Sequence, residues 1–254
     1  MSRFRSRAAT AHDLPTLARW LGREVTTGQN PDECLWVAQA SDPAQPLRAM
    51  LRLRRAIGLD LPRVSYHVGC VVHAAPTLKL FHRQRTLLMG NDHTGASELC
   101  DIAWEQAEVP LAEQSAALHC LVQAALQQLR LHRATYAARL IVELPGQRHS
   151  DGQSPFWQGL GRHFYGGDPA AAALAHGPQW RSHVAALLPR QTLVSSFLSP
   201  AAQAAIAQVA PWALPLREVL EDAGLRYSHH INVEDGGPVL EAAVDDLVVS
   251  ARRA

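Results

Sequence analysis

The sequence predicts a mixed α/β layer fold, and three local observations carry that expectation. Strand-like and helix-like stretches alternate along the chain. Between Ser65 and His73, Tyr66, Val68, Cys70 and Val72 alternate with His67, Gly69, Val71 and His73, the period of a strand. Two helix starts are marked by a hydroxyl followed by proline, at Ser154-Pro155 and Ser199-Pro200. The hydroxyl can cap the orphan N–H groups, and proline suits the first helical position.

Taken in order, the chain opens with a short strand, Phe4 to Ala8. A helix follows, with Asp13 as its cap, Pro15 in its first turn, Leu14, Leu17, Ala18 and Leu21 on one face, and Gly22 as its stop. Strands are expected at Cys34 to Ala38, Arg48 to Arg54, Ser65 to His73, Thr86 to Met89 and Ser97 to Trp104. A long helix spans Leu111 to Leu129, with Leu118, Leu121, Val122, Ala125 and Leu129 as its buried stripe and glutamines across much of the opposite face. Ala137 to Leu144 reads as a buried strand, and Ala170 to Ala175 as a weak helix or a loop. The last unit is a helix from Leu216 to Ala223, a stop at Gly224 and a strand from Leu225 to Val233, closed by the turn Asp235-Gly236-Gly237-Pro238.

Bulk properties exclude several classes. The 254 residues suffice for a real core, and 47% hydrophobic with 19% charged residues excludes a disordered chain. A formal net charge of +1 leaves no electrostatic footprint for nucleic acid or a membrane surface. No apolar run could span a bilayer, and no apolar segment follows the arginines of Met1 to Ala9, so a cytoplasmic location is expected. Cys34, Cys70, Cys100 and Cys120 match neither a zinc motif nor a disulfide framework and are expected to be reduced, buried thiols. Histidines are numerous, but His67 and His73 are too far apart along a strand to share an ion. His229 and His230 should point to opposite faces, so no metal is expected.

Three blocks resemble the arginine N-succinyltransferase family. The first is His67-Val68-Gly69-Cys70-Val71-Val72-His73-Ala74, leading to Asn91-Asp92-His93-Thr94-Gly95 and Glu98-Leu99-Cys100. The second runs from Glu143 through Ser154-Pro155-Phe156-Trp157 to Leu160-Gly161-Arg162-His163-Phe164. The third runs from Leu188-Pro189 through Gln208-Val209 to Gly224, Tyr227 and Asp235-Gly236-Gly237-Pro238. Each is weak alone; in order and at matching spacing they are specific. The resemblance implies a GNAT-like acyltransferase fold, a mixed central sheet flanked by helices, as one domain over residues 1–254 without the family's further C-terminal segment. It implies transfer of a succinyl group from succinyl-CoA, as co-substrate, to the α-amino group of arginine or a related amine. It also implies that Ile102 stands where the family contacts succinyl-CoA.

Two departures from the family pattern bear on chemistry. The family opens its long helix with an arginine- and glycine-rich loop; here Ala103-Trp104-Glu105-Gln106-Ala107-Glu108-Val109-Pro110 has no glycine, and two glutamates stand near the expected diphosphate. The family's proton-donor histidine is Ala210 here, within Ala207-Gln208-Val209-Ala210-Pro211. Losing a general acid costs roughly 10²–10⁴-fold in rate. Candidate amine-binding residues are Asn91, Asp92, Glu98 and Glu143: a carboxylate can pair a guanidinium, or the 91–95 segment can be a hairpin-type turn bonded to its own backbone. Glu143 could polarise an amine or pair with an arginine, and Tyr227 could replace the missing acid or be a structural phenol. Ser154 is read as a cap, Phe156 and Trp157 as core. Two readings of function follow: an N-acyltransferase of the family's type, or a catalytically degenerate homologue that binds an amino acid or a partner subunit, as a homo- or hetero-oligomer.

Overall fold

A computed structural model describes residues 3–27, 32–40, 42, 45–177 and 180–249. Among them ten strands join in one sheet: β1 (Phe4–Ala8), β2 (Glu33–Ala40), β3 (Leu47–Arg54), β4 (Ser65–Ala75), β5 (Leu80–Gly90), β6 (Ser97–Trp104), β7 (Arg139–Glu143), β8 (Leu193–Val194), β9 (Arg226–Ile231) and β10 (Pro238–Ala243). Their order is β1-β2-β3-β6-β7-β10-β9-β4-β5-β8. Among the described residues every adjacent pair is antiparallel except β6 and β7. The helices are α1 (Leu14–Leu21), α2 (Leu111–Leu131), α3 (Pro155–Gly159), α4 (Pro169–His176), α5 (Trp180–Leu187), α6 (Pro200–Ala205) and α7 (Leu214–Asp222). The mixed α/β class is the one the sequence predicts.

Alternation along β2 and β3 divides the first half into two layers. Ala49, Leu51 and Leu53 face α2, whereas Met50 faces α1 with Leu17, Leu35 and Val37. The stripe Leu118, Leu121, Val122, Ala125 and Leu129 of α2 is fully buried, as its spacing predicts. The opposite face is not simply a glutamine surface, because Gln123 is buried and donates to the Val248 carbonyl at 3.3 Å. A second core lies over β4, β5 and β9, where Tyr66, Leu87 and Ile231 meet Phe156, Trp157 and Trp180. Phe156 and Trp157 are thus core residues.

Several elements differ from the expectation. The Asp235–Pro238 turn does not end the sheet: Pro238 begins β10, which sits between β7 and β9. Proline is tolerated as the first residue of a strand because its missing N–H lies before the ladder. β5 begins at Leu80 rather than Thr86 and pairs with β4 along its whole length. Residues 91–95 form no hairpin, since β5 and β6 are not neighbours; the segment crosses from one half of the sheet to the other. The alanine-rich stretch is a helix, α4, capped by Asp168 accepting from the Ala171 N–H at 3.0 Å. His229 adopts φ 59° at a bulge in β9, which breaks the simple opposition of His229 and His230. All four cysteines are free, but Cys70 is exposed and the other three are half-buried rather than buried. No described helix is long and apolar enough to cross a membrane.

Candidate active site

The parallel pair at the middle of the sheet creates the site. β6 and β7 are joined only through Ser97↔Leu140, Glu98↔Ile141 and Leu99↔Val142. Beyond Leu99, β6 continues to Trp104, while the chain after Glu143 leaves the ladder. The departure coincides with an irregularity in the β3–β6 register between Met50 and Arg52, and with Asp101 held at φ 47°. A bulge bends its strand and opens the pairing, and the left-handed conformation of a non-glycine residue is the strained kind that clusters at functional sites.

A cavity of about 680 Å³ fills the gap. β6 lines it with Leu99, Cys100, Ile102 and Trp104, the end of β7 with Glu143, Leu144 and Pro145, and α5 with Trp180 and Arg181. Asn232, Glu234 and Asp235, from the turn after β9, close it. That turn is braced by its own side chains: Asn232 Oδ1 accepts from the N–H groups of Glu234 and Asp235 at 3.0 and 2.9 Å, and Asp235 Oδ1 accepts from Asn232 Nδ2 at 2.8 Å.

One wall is a ladder of alternating charges. Asp101 meets Arg52 at 2.8 Å, Arg52 meets Glu33 at 2.8 Å, and Glu33 meets Arg54 at 3.0 Å. Arg54 reaches Glu98 at 3.4 Å, Arg63 bridges Glu98 and Glu143 at 2.5 and 2.8 Å, and Arg181 bridges Glu143 at 3.3 Å and Glu234. Glu98, 1% exposed, survives burial because two guanidinium groups serve it. Burial pushes the Glu143 carboxyl up, but Arg63 and Arg181 outweigh it and hold the group below its ordinary value. Burial likewise works against the Asp101 charge, and Arg23 with Arg52 overcomes it. Glu234 goes the other way: burial raises it, with Glu143 and Asp235 adding to the rise and Arg181 only partly opposing. The Cys100 thiol is pushed well up by burial and by Glu98, so it stays protonated.

Ile102, Glu98 and Glu143 therefore share one cavity. Asn91 and Asp92 lie outside it. Asp92 Oδ2 accepts from His230 Nε2 at 3.0 Å, and its carbonyl accepts from Arg139, the first residue of β7, at 3.2 Å. Glu143 ends that same strand, about 13 Å away at the rise of a strand. Ala210 sits one layer behind the wall, buried, its N–H donating to the Pro145 carbonyl at 2.9 Å. Tyr227 is not on the cavity; its hydroxyl is buried with no hydrogen-bond partner, and burial pushes it up to about 12. Glu105, one of the two glutamates expected near a diphosphate, is matched by Arg19 at 3.4 Å, whereas Glu108 is exposed. Ser154 acts as a cap, accepting from the Trp157 N–H at 3.1 Å. Among the described residues no group of three or more His, Cys, Asp or Glu is arranged to hold a metal ion.

Arg54, Arg63, Arg181 and Glu234 are site residues that sequence reasoning does not single out. The available signal was Arg52 between Leu51 and Leu53, with Arg54 next to it, on a strand whose remaining residues apart from Arg48 are apolar, since a buried arginine demands carboxylate partners.

A mixed sheet parted between two parallel strands, with a cavity in the opening and a long helix packed behind it, defines an acetyltransferase-like (GNAT-like) acyltransferase fold. A solved structure, arginine/ornithine succinyltransferase subunit AI from Pseudomonas aeruginosa, has this fold at a TM-score of 0.73, covering 97% of this chain and 78% of that chain at 21% identity. The family model described as arginine N-succinyltransferase beta subunit matches residues 26–249. The chain belongs to the arginine N-succinyltransferase family. The arginine N-succinyltransferases of Salmonella arizonae, Salmonella paratyphi B and Salmonella newport are each 36% identical over 190 residues, which is 75% of this chain and 54% of the relative. The chain thus spans about half the length of the curated relatives it matches.

Proposed function

We propose that the cavity between β6 and β7 binds succinyl-CoA and transfers its succinyl group to the α-amino group of arginine or a related amine, in the cytoplasm. The observation that carries this reading is the parting of the two parallel strands, which places Ile102 and the acidic pair Glu98 and Glu143 around one opening. Family membership and the names of the relatives support the same chemistry.

In this reading Ile102 packs against the acyl-CoA, and the Glu98–Arg63–Glu143–Arg181 stretch of the ladder orients the cationic amino acid. Glu234 is the cavity carboxylate best suited to carry a proton. Each of Glu98, Asp101 and Glu143 is shared by two arginines, whereas Glu234 has Arg181 alone. It would take a proton from the substrate ammonium; the freed amine forms the C–N bond as the C–S bond breaks. The nitrogen's surplus proton goes to the departing sulfur, and Glu234 returns its own to solvent. Ala210 has no part in proton transfer.

The test is calorimetric titration of the purified chain with succinyl-CoA, followed by measurement of CoA thiol released on adding arginine. Micromolar binding with thiol release is expected, and Ile102→Trp should weaken binding roughly tenfold or more by filling the cavity. No heat at millimolar succinyl-CoA would sink the reading.

A further inference from the structure

β4 and β5 form a hairpin far longer than the sheet that supports it. β4 is tied to β9 only through Tyr66 and His67, and β5 to β8 only through Thr86 and Leu87. From Val68 to Arg85 the two strands therefore pair with each other and, among the described residues, with no third strand. At its base this hairpin covers the second core with Tyr66, Val68 and Leu87. The same face continues outward, uncovered, through Val72 and Phe81, which are 50% and 72% exposed. A two-stranded ribbon is marginally stable by itself, so an arm of this length argues for further strands beside it.

The two free edges differ in charge. Val68-Gly69-Cys70-Val71-Val72-His73-Ala74-Ala75, on β4, carries no formal charge and no proline. Exposed edges are normally blunted by lysine, proline or a bulge, and an unblunted apolar edge is a template for another strand. The outer strand β5 is cationic through Arg83 and Arg85, with Lys79 in the turn, and no Asp or Glu occurs between Asp60 and Asp92. Pairing two arms through β5 would set Arg83 and Arg85 against their copies about 5 Å away. Pairing through β4 places the two β5 strands three strand spacings apart, about 14 Å, beyond a Debye length of about 8 Å at physiological ionic strength.

We propose that the β4 edge, residues Val68–Ala75, is the homodimer interface of this chain. Two copies pair β4 with β4 antiparallel about a twofold axis and make a four-stranded ribbon, β5-β4-β4-β5, between the two sheets. A second copy is the fitting occupant because the edge is neutral and antiparallel pairing of identical strands is self-complementary. On the edge itself Val71 and Val72 are 42% and 50% exposed, and antiparallel pairing sets them beside their copies across the seam.

Sedimentation velocity of the wild type at micromolar concentration is expected to show a dimer, little affected by high salt. A short bismaleimide should join two copies through Cys70, the exposed cysteine of the edge, and Cys70→Ser should abolish the cross-link. Val72→Lys, which sets lysines near the axis, should weaken dimerisation roughly tenfold or more while leaving the far-ultraviolet circular dichroism near that of the wild type. If Val72→Lys does not fold, the wild-type cross-link decides. A wild type that stays monomeric overturns the proposal and leaves the edge to a chain of different sequence. A dimer that persists in Val72→Lys and does not cross-link through Cys70 overturns it equally.

Discussion

At Asp13 the side chain does not cap the helix it precedes. Its oxygens instead take both terminal nitrogens of Arg7, at 2.7 and 2.8 Å, with the N–H and hydroxyl of Thr10 at 2.7 and 2.9 Å. The bond from Arg7 is the largest cause that brings Asp13 down to about 2 from its ordinary 3.8. A carboxylate whose folded value is depressed contributes stability above its unfolded value and loses it as pH falls through the folded one. The loss therefore belongs to the window between about pH 4 and pH 2, and because Arg7 is partly solvated it amounts to on the order of 1 kcal/mol. Urea unfolding of Asp13→Asn should be less stable than the wild type at pH 6 by that amount, with the gap closing toward pH 2. An unchanged gap would remove the assignment. The position of Asp13 was legible in the sequence; its partners were not, because Arg7 lies on the preceding strand and a capping rule looks only forward along the helix.

Helix starts are the elements read most faithfully, because a cap and a first-turn proline act within four residues. Ser154 and Ser199 both accept from the backbone three residues on, at 3.1 and 3.3 Å. Ser154→Ala should lower stability by about 1 kcal/mol in urea titration, with Ser154→Gly closer to neutral. Elements defined by partners far along the chain were read poorly. The outer half of β5, Leu80-Phe81-His82-Arg83-Gln84-Arg85, shows no alternation of apolar and polar residues because neither of its faces is packed. β10 was hidden by the glycines and proline of the turn that feeds it. The site divides the same way: Glu98 and Glu143 stand in blocks with a recognisable pattern, whereas Arg63 and Arg181 reach them across 35 and 38 residues, a pairing that only the folded chain creates.

Over the whole molecule, two cores share one sheet, and Tyr227 is packed against both. Tyr227→Ala should therefore cost about 3 kcal/mol. Circular dichroism and tryptophan fluorescence should still report one coincident transition, since Trp104 belongs to one core and Trp157 and Trp180 to the other. Separate midpoints would show that the halves unfold independently. The charge ladder also acts on this scale, because it ties β2, β3 and β6 to α5 and the turn after β9. Every rung is a guanidinium lodged between carboxylates, the same group that the side chain of free arginine carries. In the proposed reaction such a ligand finds no vacant acid waiting and must dislodge a resident. Entry is then a swap between chemical twins, almost level in pairwise contacts. Its direction is set by how much freedom Arg63 or Arg181 recovers on swinging out into water. A lysine-like ammonium, unable to fork across two carboxylates, would lose that contest.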